Sequence, residues 1–89
     1  MINIIKEASL TYTNVAKNSN KFYILQIVEE NGVHSIIKRY GRLGKSPTVI
    51  KVEGTLNFVL DEFDKMINEK HKKGYGECPL EDIIYYRGW

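Results

Sequence analysis

With 89 residues, 43% of them apolar and 27% charged, the chain has material for one small domain and not the composition of a disordered polymer. No apolar run approaches the roughly 20 residues of a membrane span. The start, Met1-Ile2-Asn3-Ile4-Ile5-Lys6-Glu7, has neither the long apolar stretch nor the small-residue cleavage site of a secretory signal, so the expectation is a soluble, cytoplasmic protein without a membrane partner.

The net charge of +2 names no partner, but its distribution is uneven. Between residues 31 and 52 there is no Asp or Glu, while Lys38, Arg39, Arg42, Lys45, Lys51 and His34 all fall there. Two readings follow. The segment is a positive face that meets an anion, or a solvated hairpin edge whose lysines discourage aggregation. Cys78 is the single cysteine, so it forms no intrachain disulfide, and even with His34 and His71 it is too little for a zinc site. It reads as a small side chain rather than a nucleophile.

In chain order, residues 10–13 (Leu-Thr-Tyr-Thr) alternate as a strand does, and residues 14–20 are polar and read as a loop. Residues 22–28 (Phe-Tyr-Ile-Leu-Gln-Ile-Val) form a strand with apolar side chains on both faces, hence a central strand covered on both sides. Asn31-Gly32 suits a type I′ turn, whose two central positions need positive φ. It should join this strand to a second one, residues 33–42. There the period of two puts His34, Ile36, Lys38, Tyr40 and Arg42 on one face and Ser35, Ile37 and Arg39 on the other. Gly41 and Gly44 bracket the exit, Pro47 ends it, and residues 48–52 are a third β-branched run.

Thr55 is a candidate helix N-cap. Beyond it Leu56, Val59, Leu60, Phe63, Met66 and Ile67 recur at helical spacing, with Asp61, Glu62, Asp64, Lys65, Asn68 and Glu69 opposite them. This predicts an amphipathic helix over residues 56–73 with Gly74 just past its end. Lys70, His71, Lys72 and Lys73 in the last turn offset the helix dipole, or touch a phosphate. Ile83-Ile84-Tyr85-Tyr86 has the pattern of an added edge strand. The expected class is α+β: a twisted antiparallel sheet with one helix packed across it, in a single domain over residues 1–89. Its core spans about residues 10–77, and 78–89 form a C-terminal extension.

No catalytic constellation emerges. Gly41-Arg42-Leu43-Gly44-Lys45-Ser46 ends in Lys-Ser but lacks the first glycine and the spacing of a phosphate-binding loop, and it leaves a strand rather than entering a helix. The paired carboxylates sit on the polar side of the helix. The expectation is a non-enzyme with no catalytic residues, no metal and no cofactor.

Three segments in order carry a family likeness. They are Asn20-Lys21-Phe22-Tyr23-Ile24-Leu25-Gln26; Arg39-Tyr40-Gly41-Arg42-Leu43-Gly44-Lys45; and Phe63 followed by Glu69-Lys70-His71-Lys72-Lys73-Gly74-Tyr75. Together they resemble the WGR family, found in DNA-damage-dependent poly(ADP-ribose) polymerases and in bacterial proteins similar to a molybdate-metabolism regulator. The resemblance implies a twisted antiparallel sheet with one long helix, and a module that binds near a DNA end rather than one that transfers ADP-ribose. The signature tryptophan, which in the polymerases packs on the sugar or base at a strand end, is Tyr40 here. The signature arginine is kept as Arg42.

Tyr40 retains a flat π-face for stacking over a smaller area. The expected nucleic-acid site is therefore Tyr40 and Arg42 with Lys38, Arg39 and Lys45, joined by Asn20 and Lys21 from the neighbouring strand. DNA is favoured over RNA. The alternative is a protein-interaction module using the same hairpin, with Tyr85, Tyr86 and Trp89 as aromatic anchors.

Overall fold

The computed structural model describes residues 1–81. The chain order is β1 (Ile2–Asn14), β2 (Ser19–Glu30), β3 (Val33–Arg42), β4 (Thr48–Gly54), α1 (Leu56–Lys72) and β5 (Gly76–Glu77). All strand pairings are antiparallel, and the spatial order is β4-β3-β2-β1-β5. The α+β class expected from the pattern is the architecture observed, with α1 packed across one face of the sheet.

β2 is the middle strand, and its alternation sorts two cores. Tyr23, Leu25 and Ile27 point to the helix side, where they pack with Leu10, Ile36, Val59 and Phe63. Phe22 and Ile24 point to the other side and are covered by Leu43, Cys78 and Leu80. Each large apolar side chain withdrawn in this way contributes about 1.5–3 kcal/mol. Cys78 is half-buried, as a small packing residue would be.

The β2–β3 hairpin turns at Asn31-Gly32, with φ of 54° and 82°, as the dipeptide foretold. Thr55 caps α1: its Oγ1 accepts from the Phe58 N–H at 3.1 Å. At the other end Gly74 adopts φ of 97°. The Gly74 N–H bonds the His71 carbonyl and the Tyr75 N–H bonds the Lys70 carbonyl, both at 3.0 Å. That pair of bonds is the Schellman arrangement, and it folds Tyr75 back over the last helical turn.

Three expectations need correction. β1 begins at Ile2, well before residue 10: Lys6-Glu7-Ala8-Ser9 has little intrinsic strand propensity, and the pairing shifts register between Ile4 and Lys6. This bulge breaks the period of two on which strand reading depends. The polar connection is also shorter than residues 14–20, since β1 runs to Asn14 and β2 starts at Ser19. Leu56, expected in the core, is 40% exposed. It is the first helical residue, placed where the chain is only leaving the edge strand β4; Val59 and Phe63 are the buried members of the stripe, and Leu60, Met66 and Ile67 pack half-buried beside them. A fifth strand exists, but as Gly76–Glu77 against β1. The expected edge strand of Ile83-Ile84-Tyr85-Tyr86 lies outside the described residues. Among the described residues no helix is long and apolar enough to cross a membrane.

Candidate nucleic-acid interface

The sheet register assembles one end of the helix-side face. Tyr12 pairs with Lys21, and Lys21 with Arg42, in one row; Leu10 pairs with Tyr23, and Tyr23 with Tyr40, in the next. Paired residues project to the same face. Lys21 and Arg42 therefore stand opposite each other as like charges, directly beyond two tyrosines. The Tyr23 and Tyr40 rings are stacked, 5.3 Å between centroids at an interplanar angle of 10°.

The helix end completes the surface. Lys70 Nζ lies 4.5 Å from the Tyr23 ring centroid and 5.4 Å from that of Tyr75. Tyr75 leans on Tyr12, with centroids 5.6 Å apart. Gly74 is required here twice over. Its φ is positive, and a Cβ would come within 3.2 Å of Tyr12 Cε2. The result is a cleft of about 280 Å³ bounded by Lys21, Tyr23, Tyr40, Arg42, Lys70 and Tyr75.

Its lining charges are cationic, with Glu69 and Glu62 acting from beside it. Partial burial holds the Lys70 ammonium below its usual pKa, and the nearby Lys73 and Lys21 charges push it the same way, against Glu69. Burial pushes the Tyr23 hydroxyl up to about 12, helped by Tyr40 and Tyr75, and burial likewise raises Tyr75. Both phenols are therefore neutral at physiological pH. Among the described residues the ion pairs are Lys6–Asp64 at 3.3 Å and Lys38–Glu62 at 3.6 Å. Lys21, Arg42 and Lys70 have no carboxylate partner there. Arg42 Nη2 donates to the Asn18 carbonyl at 2.8 Å, which orients the guanidinium without neutralising it.

The expected site residues divide accordingly. Tyr40, Arg42 and Lys21 come together in the cleft. Lys45 is exposed in the following turn, its N–H bonded to the Arg42 carbonyl at 3.1 Å, and stands at the rim. Lys38 shares the face of Tyr40 but is paired to Glu62, with its side chain only 16% exposed. Arg39 lies on the opposite face, where Nη1 donates to Gln26 Oε1 at 2.6 Å; Gln26 in turn donates to Glu7, linking three strands. Asn20 is half-buried, and its backbone carbonyl accepts from the Leu43 N–H at 2.9 Å, closing the hairpin's open end.

Sequence reasoning missed Tyr23 and Tyr75 as cleft residues, and gave Lys70 a phosphate contact only as the second reading of the last helical turn. A signal for Tyr23 was present: alternation puts it on the same face as Lys21. Lys70 and Tyr75 reach the cleft only through the helix crossing and its cap.

Comparison with known proteins adds the following. The family described as "WGR domain" matches residues 6–81. Poly [ADP-ribose] polymerase 2 of Homo sapiens is 30% identical over 77 residues, 82% of this chain and 13% of that protein. Protein mono-ADP-ribosyltransferase PARP3 of Homo sapiens is 32% identical over 71 residues, 78% of this chain and 13% of that protein. Poly [ADP-ribose] polymerase 2 of Zea mays is 45% identical over 42 residues, 45% of this chain and 6% of that protein. The chain thus spans a small fraction of the length of the relatives it matches.

Proposed function

The chain belongs to the WGR domain family, and from that premise we propose that it is a non-catalytic nucleic-acid-binding module whose ligand is DNA. The observation that carries this reading is the cleft itself. Lys21, Arg42 and Lys70 line it with no ion-pair partner among the described residues, beside the stacked pair Tyr23 and Tyr40. Like charges opposed across a strand pair are unfavourable on their own, and a phosphate between them reverses the sign of the interaction. The three cations hold the backbone, giving affinity without sequence preference. The half-buried Tyr40 and Tyr75 rings, with Tyr23 buried behind them as support, take an unstacked base or a terminal ribose, which favours ends, breaks and single-stranded regions over continuous duplex. Lys45 adds a rim contact.

The test is a binding comparison of blunt duplex, nicked duplex and single strand across a salt series. The reading expects affinity for ends, nicks or single strand above that for an uninterrupted duplex, weakening steeply with salt. Binding that is absent, or indifferent to salt, contradicts it. Salt-indifferent capture of a protein instead supports an interaction module on the same hairpin. Measured turnover of nicotinamide dinucleotide by the pure protein, lost on one substitution, contradicts the non-catalytic assignment.

A further inference from the structure

We propose that β4 is the contact through which two copies of this chain join, edge to edge and antiparallel, with a two-fold axis through Val52. β4 is an outer strand, and among the described residues it pairs with β3 alone. Its outward N–H and C=O groups are a template for another strand. The strand is seven residues long, contains no proline, and pairs with β3 without a bulge from Tyr40↔Thr48 to His34↔Gly54.

Apolar surface flanks this edge on both faces. Val49 is 54% exposed on one face and Ile50 41% exposed on the other. Phe58, 45% exposed, lies against Gly54: a Cβ built on that glycine would stand 2.5 Å from Phe58 Cδ2. An exposed aromatic ring is therefore held at the open edge.

Charge selects a second copy as the occupant. Lys51 and Glu53 share the face away from the helix, two residues apart. When Val52 stands opposite its own counterpart, Lys51 of each copy faces Glu53 of the other, so two opposite-charge pairs form at once. Ile50 then falls opposite Gly54, beneath Phe58. Sliding the strands by two residues either way sets Lys51 against Lys51 or Glu53 against Glu53, which is unfavourable. The competing explanation is that Lys51 is a gatekeeper lysine that keeps the edge from pairing. The two explanations differ in sign, because removing a gatekeeper promotes association and removing a register key weakens it. None of the cleft residues is used in this contact.

Sedimentation equilibrium on the full chain, from micromolar to millimolar, tests the contact. The wild type forms dimers. Lys51→Glu and Glu53→Lys, each at an exposed position and each checked for an unchanged melting curve, raise the dimer dissociation constant about tenfold or more. An equimolar mixture of the two variants forms one-to-one heterodimers, because the altered strands are complementary at both pairs. A wild type that stays monomeric overturns the proposal, whatever covers the edge. So does stronger association of Lys51→Ser, or a mixture of folded variants that does not heterodimerise.

Discussion

The two ends of the β2–β3 hairpin treat charge in opposite ways. At the turn end Glu29 is satisfied by its neighbours: it accepts from the Gly32 N–H at 3.0 Å and from Asn3 Nδ2 at 3.3 Å. Those bonds hold its carboxyl below the usual carboxylate range. At the open end Lys21 faces Arg42, and Lys70 comes in from the helix, held below its usual value by burial and by the neighbouring lysines. The turn end is complete within itself and serves the fold. The open end leaves three cations that form no ion pair among the described residues, an arrangement an anion would relieve.

The largest expected effect comes from removing the aromatic at the open end. Tyr40→Ala loses the ring stacked on Tyr23, costing about 2–3 kcal/mol in chemical denaturation. It also weakens end or single-strand binding by the folded variant about 5- to 150-fold. Tyr40→Trp keeps the binding. A folded Tyr40→Ala protein with wild-type affinity would assign Tyr40 to the core alone and erase the contrast between the ends.

Next is Lys70. Lys70→Gln lowers affinity for duplex ends about tenfold at low salt. A phosphate favours the charged lysine and so raises the pKa that burial has lowered. Binding at a pH near the lowered value therefore takes up a proton, and affinity falls as pH rises through it. Calorimetry in two buffers of different ionisation enthalpy measures that uptake, and Lys70→Arg removes it, since arginine stays charged. Equal heats in the two buffers for the wild type at every pH of an alkaline series would show that the Lys70 charge is not engaged.

A smaller effect, of a different kind, belongs to Arg39. Arg39→Gln loses the bond to Gln26 and costs about 1 kcal/mol of stability, while affinity for DNA stays at the wild-type level. Loss of affinity without loss of stability would place the ligand on the other face of the sheet. The smallest effect is at the turn end. Because the Glu29 pKa is depressed, its stabilising contribution is complete above the unfolded carboxylate range and is lost as pH falls through the depressed value. Glu29→Gln flattens the acid limb of stability against pH, modestly, since the side chain is solvent-exposed. An unchanged acid limb would mean that the bond to Gly32 contributes nothing.

The same contrast explains what the sequence made legible. Asn31-Gly32 announces its turn because the required φ values belong to two adjacent residues, and Thr55 and Gly74 announce the helix ends for the same local reason. The strand period placed Tyr40 and Arg42 on one face and Arg39 on the other. It did not place Lys38 in the ion pair with Glu62, because that pair depends on where the helix lies across the sheet. Lys70 and Tyr75 enter the cleft by the same crossing, so their place beside Tyr23 was visible only once α1 was docked. The early start of β1 was hidden by the weak strand propensity of Lys6-Glu7-Ala8-Ser9 and, before them, by the bulge between Ile4 and Lys6, which reverses the alternation.

The most direct test of the central claim is the slope of log affinity against log salt for a duplex end. It should be measured for the wild type and for a variant carrying Lys21→Ala, Arg42→Ala and Lys70→Gln together. Each phosphate-bound cation accounts for a slope of about −0.9 on duplex DNA, so the triple variant should bind with a slope shallower by close to 2.7. A folded triple variant with the wild-type slope would show that the anion binds elsewhere.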